Sequence, residues 1–401
     1  MIKSTTTTIK FANQVKKKTL NDLRKEYRNV VSVFVNLIWN LDKIPTLLPK
    51  EITSKIDSWL SARMLQCAGK QASGIVRGTK KKQEKRKYVI DKLNKERKHK
   101  KARKLQKIYD KIITSKPEIG NVDLELDSRF VKIDLNNDTV FDGWLTLSSI
   151  GNKLKIKIPF KKNKHFNKMQ SKGKMRLGVR IGKNDITFMF DLPDKPKKSK
   201  GKILGVDVGQ KDSISCSNGF VASKNKHNHD LTSITNIMSR KKKGSKAFDR
   251  CREHRKNYIN WSINQLNLNG VKQVNRENIK DLRTNKKYSR KLSHWTYTEI
   301  FDKLDSYCEE QGVLVQTVNP TYTSQRCSKC GWTRKANRKG KLFKCTSCLF
   351  ECDADLNASL NISLPLLGVS KKQRLKQENR KGFYWNVEGQ EPIVPVVEKT
   401  N

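Results

Sequence analysis

One stretch of the chain, from Lys202 to Gly209, reads KILGVDVG and predicts a β-strand that carries a single carboxylate. Asp207 stands in this apolar run between two glycines. A lone carboxylate in such a strand is costly to bury unless a cation compensates its charge. Coordination of a metal ion supplies that compensation, although the same pattern also fits ATPases of the sugar-kinase type.

Four cysteines further along the chain have the spacing of a metal site. Cys327 and Cys330 form one C-x-x-C pair, and Cys345 and Cys348 form a second pair after fourteen intervening residues. Two such knuckles can surround one ion with four sulfur atoms, which predicts a single structural zinc ion. Cys352 is surplus to a tetrahedral set, and we interpret it as a small buried thiol.

The charge of the chain predicts a polyanionic partner. Its 401 residues include 86 Lys plus Arg against 38 Asp plus Glu, which gives a formal charge of +48. A compact state with this charge repels itself unless a long nucleic acid neutralises it. No apolar run approaches the ~20 residues that a membrane span needs. The polar N-terminus lacks the apolar core of a signal peptide, so we expect a cytoplasmic protein without a membrane partner.

The patterning of the first half predicts helices inserted into a β unit. Residues 20–70 have helical periodicity, and residues 77–104 carry fifteen Lys or Arg against three acids. That basic segment is either a phosphate-binding helical hairpin or a solvated coiled-coil face. Residues 121–193 form short alternating runs typical of an antiparallel barrel or sandwich, and residues 5–11 could supply its first strand.

Two further motifs flank the cysteines and identify a family. Asn319-Pro320-Thr321-Tyr322-Thr323-Ser324-Gln325-Arg326-Cys327 leads into them, and Cys352-Asp353-Ala354-Asp355-Leu356-Asn357-Ala358-Ser359-Leu360-Asn361-Ile362 follows them. With Gly205-Val206-Asp207 upstream, they resemble the TnpB proteins of insertion sequences and their descendants, the miniature type V CRISPR effectors. The resemblance covers residues 202–363 well and the first half only in layout.

This resemblance implies a multidomain α+β fold. It consists of a split RNase H-like (RuvC) α/β nuclease core with an inserted zinc ribbon, and an N-terminal β-barrel (wedge) domain with a helical (REC) insertion. The implied boundaries are 1–12 for the first wedge strand, 13–120 for the helical recognition domain, 121–195 for the rest of the wedge barrel, 196–319 for the nuclease core, 320–351 for the zinc ribbon, 352–366 for the third acidic motif and 367–401 for a largely disordered tail.

The same resemblance implies three catalytic carboxylates. Asp207 matches the first, Asp355 matches the third at the head of a helix, and Glu277 matches the second at the end of a core strand. Asn275 and Arg276 depart from the pattern, because the family usually has apolar residues there. Such acids can hold two Mg²⁺ ions that activate water and stabilise the leaving 3′ oxygen of a phosphodiester. Asp353 is an alternative to Asp355 for the third catalytic position, but it could instead be the N-cap of the helix.

The activity implied is RNA-guided endonucleolytic cleavage of DNA. A guide RNA would pair with target double-stranded DNA beside a short motif read by the protein, which would also bind the displaced single strand. Two copies of the chain could share one RNA. One alternative is a catalytically silent, RNA-guided transcriptional repressor, although the three acids argue against it. Another is an unguided junction resolvase or a ribbon-bearing nucleic-acid-binding protein, which leaves the basic first half unexplained.

Overall fold

The computed structural model describes residues 1–120, 122–135, 139–279, 294–364, 381–385 and 392–393. The chain divides into two compact units, Met1–Pro193 and Asp194–Asn401. Both units mix helices with sheets, so the fold is of the mixed α/β kind. None of the helices in the described ranges has the length and apolar character that crossing a membrane requires.

The first unit contains two antiparallel sheets. One has the order β1-β7-β6-β2, and the other has the order β3-β4-β5. The strands are β1 (Ile2–Thr8), β2 (Leu124–Leu126), β3 (Val131–Asp134), β4 (Gly143–Leu147), β5 (Ile156–Phe160), β6 (Lys174–Ile181) and β7 (Asp185–Asp191). The hydrogen bonds of the described residues thus form two sheets rather than the closed barrel that was one of the predicted forms.

The N-terminal strand does pair with the later β unit, with Thr5 opposite Phe188. It runs from Ile2 to Thr8, within the range 1–12 implied by the resemblance and starting before residues 5–11, and the following helix has its N-cap at residue 13. There the Asn13 side chain accepts the Lys16 backbone N–H. Apolar side chains of both sheets share one core with the helices.

The helices between β1 and β2 are α1 (Gln14–Ile38), α2 (Lys50–Thr53), α3 (Ala62–Lys95) and α4 (His99–Ile113), and α5 (Lys164–Gln170) follows β5. Helix α1 buries Tyr27 and Phe34 completely. The basic segment is a helical hairpin formed by the second half of α3 and by α4. Gln83 of α3 closes it by donating to the Ile112 carbonyl of α4 at 2.8 Å.

The second unit is built on a five-stranded sheet of order β10-β9-β8-β11-β12. Its strands are β8 (Lys202–Asp207), β9 (Ile214–Cys216), β10 (Val221–Ala222), β11 (Val271–Glu277) and β12 (Leu314–Val318). Strands β8, β11 and β12 are parallel, and β9 and β10 are antiparallel. Its helices are α6 (Leu231–Ser239), α7 (Lys246–Asn264), α8 (Tyr297–Glu310) and α9 (Ala354–Ser363).

The two faces of this sheet contact different helices. Leu204, Val206 and Val274 join Ile259 of α7 and Leu304 of α8 in one apolar core. Side chains alternate between the faces of a strand, so residues 205 and 275 belong to the opposite face. Helix α9 packs there, and the sheet is covered on both sides, as is usual for parallel strands.

A small three-stranded sheet follows β12. Its order is β13-β14-β15, from Arg338–Lys339, Leu342–Lys344 and Glu351–Asp353. Phe343 and Trp332 are buried beside the cysteines.

Part of the predicted disordered tail is ordered on this small sheet. Phe383 is buried, exchanges backbone hydrogen bonds with Thr333, and precedes Tyr384, whose ring centroid lies 4.7 Å from that of Trp332. The aromatic rings of these residues cover an apolar surface of the small sheet, so this short part of the tail has a defined contact, and the prediction of a largely disordered tail stays a prediction. The rest of that prediction, 367–380, 386–391 and 394–401, lies outside the described residues.

Candidate active site and metal centre

Asp207 and Glu277 end two neighbouring parallel strands. The strand pairing places Arg276 opposite Val206, and each acid is the next residue of its own strand. The carboxyl ends of adjacent parallel strands meet at one edge of the sheet, which is where side chains of α/β enzymes commonly form a site. Glu277 therefore does end a core strand, as its sequence context indicated.

The electrostatics of Asp207 place three carboxylates in one site. Burial and, to a smaller extent, the negative charges of Glu277 and Asp355 together raise the pKa of Asp207 to about 7, although the charge of Arg338 lowers it. Burial also raises the pKa of Glu277, against a hydrogen bond from Thr323 and the charge of Arg338. Like charges disfavour ionisation only at short range, so the three predicted acids lie near enough to influence one another. Among the described residues, however, the four cysteines are the group whose ligand atoms all lie within 4.8 Å of one another, and the three acids are not so close.

Asp355 reaches the site from the first turn of α9. Asp353 is the N-cap and accepts the backbone N–H groups of Asp355 at 2.9 Å and Leu356 at 3.1 Å. This leaves the Asp355 carboxylate, which is 8% exposed, free to face the sheet. Of the two competing aspartates, Asp353 thus has the capping role and Asp355 lies in the site.

Two cations and a fourth carboxylate surround Asp355. Arg338 donates to one oxygen of Asp355 at 2.9 Å, and the Lys341 ammonium contacts the other oxygen and also Asp212. The sequence motifs did not predict a role for Asp212. The sequence did contain an indication of this role, because Asp212 follows Asp207 by only five residues. It lies in the turn between β8 and β9, where the backbone N–H of Gly209 donates to the backbone carbonyl of Asp212.

Asn275 and Arg276 have structural roles that explain their departure from an apolar strand. The Asn275 side chain donates to the Ile362 carbonyl at 3.0 Å and so binds the last turn of α9. Arg276 forms a bidentate ion pair with Asp305 at 2.9 and 2.7 Å, and its guanidinium lies 4.4 Å from the ring centroid of Phe301. Asn275 thus binds α9, and Arg276 binds α8, to the strand that carries Glu277.

Gly205 lets α9 approach β8 closely. A Cβ atom at this position would lie 1.9 Å from the Ser359 carbonyl oxygen and 2.5 Å from the Ser363 nitrogen. Both are backbone atoms of the helix and cannot rotate away. Any larger residue must push α9, and Asp355 with it, away from the sheet.

Gly205→Ala is therefore expected to destabilise the second unit by about 3 kcal/mol or more, because the overlap is with backbone. The matched control is Gly78→Ala, at a helical position where a Cβ meets nothing within 4 Å. That control should be neutral or slightly stabilising. Chemical denaturation of both variants measures the difference, and an unchanged free energy of unfolding in Gly205→Ala would contradict the close contact.

The buried amides of α9 bind the segment that leads into the cysteines. Asn357 donates to the Arg326 carbonyl at 2.8 Å and accepts the Ser328 N–H at 3.0 Å, and Asn361 donates to the Thr323 carbonyl at 2.9 Å. The Thr323 hydroxyl in turn donates to Glu277 at 2.5 Å. The lead-in segment therefore connects the third acid's helix with the second acid, and Asn357 supports the site without entering it.

The four predicted cysteines form one group that could hold a metal ion. Their sulfur atoms all lie within 4.8 Å of one another. The distance from Cys327 to Cys348 is 3.7 Å, and that from Cys330 to Cys345 is 3.6 Å. Tetrahedral zinc with Zn–S bonds of about 2.3 Å requires sulfur atoms about 3.8 Å apart. Cys352 lies outside the group, in β15 opposite Phe343.

The same region matches known proteins. Residues 297–362 match the family model described as Cas12f1-like, TNB domain. The family resemblance is confirmed for this part of the chain. A 78-residue segment is 46% identical to the CRISPR-associated endodeoxyribonuclease Cas12f1 of Sulfoacidibacillus thermotolerans, covering 19% of this chain and 18% of that protein.

Two further relatives widen the comparison. The Cas12f1 endodeoxyribonuclease of an uncultured archaeon is 27% identical over 239 residues, covering 50% of this chain and 45% of that protein. A TnpB-like protein of Aquifex aeolicus is 35% identical over 92 residues, covering 21% of this chain and 30% of that protein. The matches thus span less than half of each of these relatives.

Proposed function

We propose that this protein is an RNA-guided DNA endonuclease that hydrolyses phosphodiester bonds with a RuvC-type site. The observation that carries the proposal is the meeting of Asp207, Glu277 and Asp355, from two parallel strands and one helix, at one edge of the sheet. The relatives support it, because they are named CRISPR-associated endodeoxyribonucleases.

The donor set suits magnesium. Carboxylate oxygens are the ligands that Mg²⁺ prefers. The pKa of Asp207 is raised first by burial and then by the charges of Glu277 and Asp355, and a bound cation would offset both effects. We propose that the three acids hold two Mg²⁺ ions, which when bound activate water and stabilise the leaving oxygen. For the cysteine group, four thiolates and a closed shell favour one structural zinc ion.

The side chains of this site have separate tasks in the proposal. Asp207, Glu277 and Asp355 bind and orient the ions, and Thr323 fixes the carboxylate of Glu277. Arg338 and Lys341 lie at the rim of the acids, where their charges can bind the scissile phosphate and offset its developing negative charge. No protein side chain has to act as the nucleophile.

RNA guidance rests on charge and on the family. The formal charge of +48 exceeds what a metal site or the solubility of a domain requires, and residues 77–104 of the α3–α4 hairpin carry fifteen Lys or Arg against three acids. We assign the predicted ranges accordingly: 1–12 and 121–195 to a wedge domain, 13–120 to recognition, 196–319 and 352–366 to the nuclease core, and 320–351 to the ribbon.

The experiment that tests guidance isolates the chain expressed with its native flanking sequence and sequences the RNA bound to it. A discrete RNA is expected, and exchanging its guide segment should move the cut to the newly matched DNA. Absence of a bound RNA would remove guidance from the proposal. A cut that stays in place after the exchange would show that the protein itself chooses the site.

Thr323→Val is expected to raise the Mg²⁺ concentration for half-maximal cleavage about tenfold. The valine keeps the shape but leaves a buried oxygen of Glu277 without its donor, which costs about 1–3 kcal/mol. Thr323→Ser restores the hydroxyl and should restore the Mg²⁺ requirement. A serine variant as impaired as the valine variant would show that Thr323 acts by packing alone.

A further inference from the structure

A basic segment of the small sheet carries two cations to the Asp355 carboxylate. The segment comprises residues 338–341, which are β13 and the turn before β14. Gly340 has a φ of +65° in this turn, a backbone conformation that glycine adopts readily. The backbone carbonyl of Lys341 accepts the Ala354 N–H at 2.7 Å. The basic segment is therefore fixed to the start of α9, the helix that carries Asp355.

Both oxygens of the Asp355 carboxylate are in contact with cations of the basic segment. Arg338 donates to Oδ1 at 2.9 Å, and the Lys341 ammonium contacts Oδ2. The same ammonium contacts Oδ2 of Asp212, whose side chain, like that of Asp355, is 11% exposed. One lysine thus offsets the charge of two largely buried carboxylates, and one of them is an acid to which we assign metal binding.

A divalent ion on Asp355 would conflict with this arrangement of cations. A carboxylate has about four lone-pair sites, so one oxygen can accept an ammonium and bind an ion without a steric clash. The two positive charges would then lie about 4 Å apart, and their repulsion in a partly buried site disfavours simultaneous binding. One of the two cations on Asp355 must therefore leave when the ion binds.

Lys341 is better placed to leave than Arg338. The Arg338 Nε donates to the Gly340 carbonyl at 3.2 Å, so the backbone of the basic segment helps to hold its guanidinium. The Lys341 side chain is 44% exposed, and its ammonium is a compact charge on a flexible four-carbon stem. Rotation of this stem can move the ammonium into water while the backbone of the basic segment stays on α9.

From this geometry we propose that Lys341 is a built-in competitor of the divalent metal ion at Asp355. The Lys341 ammonium bridges Asp212 and Asp355 in one state of the site, and the ion replaces it on Asp355 in the other. The displaced ammonium is then available to the scissile phosphate. This inference rests on the proposed function, because that function assigns Asp355 to metal binding.

The test measures binding of Mn²⁺, which suits carboxylate ligands as Mg²⁺ does, to the full zinc-loaded chain. The electron paramagnetic resonance signal of free Mn²⁺ gives the affinity, and the binding that Asp207→Asn removes defines the site. Lys341→Met should bind Mn²⁺ about fivefold more tightly or better, since coupling between two ligands typically changes an affinity by about 5–150-fold. An affinity equal to or below that of the wild type would overturn the proposal.

Lys344→Met is the matched control for the loss of one positive charge. Lys344 lies in β14 of the same small sheet, and its ammonium pairs with Glu351 at 3.0 Å rather than with an acid of the site. The Mn²⁺ affinity of this variant should stay within about twofold of the wild type, because such exposed pairs contribute little. An equal gain in both variants would show an effect of net charge and would overturn competition at Asp355.

A measurement on the unmodified chain covers the case in which Lys341→Met fails to fold. An amine-acylating reagent should modify Lys341 severalfold faster with Mg²⁺ than without it, because the ion releases the ammonium from two carboxylates. The rate at Lys344 should stay the same, and mass spectrometry of the peptides measures both rates. An unchanged rate at Lys341, under conditions in which the site binds the ion, would refute the proposal.

These measurements separate the competition from the proposed function. Neither of them uses DNA cleavage as a readout, so a failure to cut DNA leaves both interpretable. A chain that binds no Mn²⁺ at the acids would overturn the metal site and the competition together. Normal Mn²⁺ binding without any response of Lys341 would overturn the competition alone.

Discussion

Replacing Asp207 by asparagine is expected to lower Mg²⁺-dependent DNA cleavage by at least about 10³-fold. The amide keeps the size of the side chain but removes the charge that holds the metal ions, at the position where two other acids converge. Binding of RNA and target DNA should remain near the wild-type level, because it depends on the basic surfaces. Asp302→Asn, an exposed acid on α8, is the matched control and should cut normally.

The stability of the same variant provides an independent check. The pKa of Asp207 is raised from 3.8 to about 7 in the folded chain, so between these values the folded state binds more protons than the unfolded state. The contribution of this group to stability therefore falls as pH rises from about 4 to about 7. Without divalent metal, Asp207→Asn should be more stable than the wild type at pH 8, and the difference should vanish near pH 4. Retained cleavage together with no such pH dependence would place the active site elsewhere.

Cys330→Ser is expected to lower the zinc content from about one ion per chain to nearly none. A serine hydroxyl does not ionise at neutral pH and is a poor fourth ligand, whereas the binding energy of structural zinc is of the order of 10 kcal/mol. The small sheet β13-β14-β15 buries little more than Phe343 and Trp332 around the sulfur atoms, so it should unfold without the ion.

Metal analysis and limited proteolysis measure this effect. The matched control is Cys352→Ser, because Cys352 lies in the same sheet but outside the sulfur group. It should retain the zinc ion and resist proteolysis as the wild type does. Equal zinc loss in both variants would show that the ion is held by a different set of ligands.

Local sequence predicted those parts of the fold that short motifs specify. The apolar run ending in Asp207 is β8, the two C-x-x-C pairs bring their sulfur atoms together, and Asp353 caps the helix of Asp355. Each of these features depends on residues within a few positions of one another, or on a spacing that one ion enforces. The pairing of the N-terminal strand was predictable too, because its alternation matches that of the later β unit.

Features that depend on tertiary contacts were not predictable from one sequence. A polar Asn275 is unexpected in a core strand, and only the tertiary structure shows that it donates to the Ile362 carbonyl of α9. Arg276 is equally unexpected there, and the structure shows that it pairs with Asp305 of α8. The association of Asp212 with Asp355 depends on Lys341, which is 129 positions from Asp212. The contact of Phe383 with the small sheet likewise joins segments that no local pattern connects.

The placement of α9 after the ribbon has a consequence for how the protein is made. A ribosome must extend the polypeptide through Ile362 before its carbonyl can meet Asn275 and the groove at Gly205 is filled. A nascent or prematurely terminated product that stops before Asp355 therefore lacks one of the three acids to which we assign the cleavage.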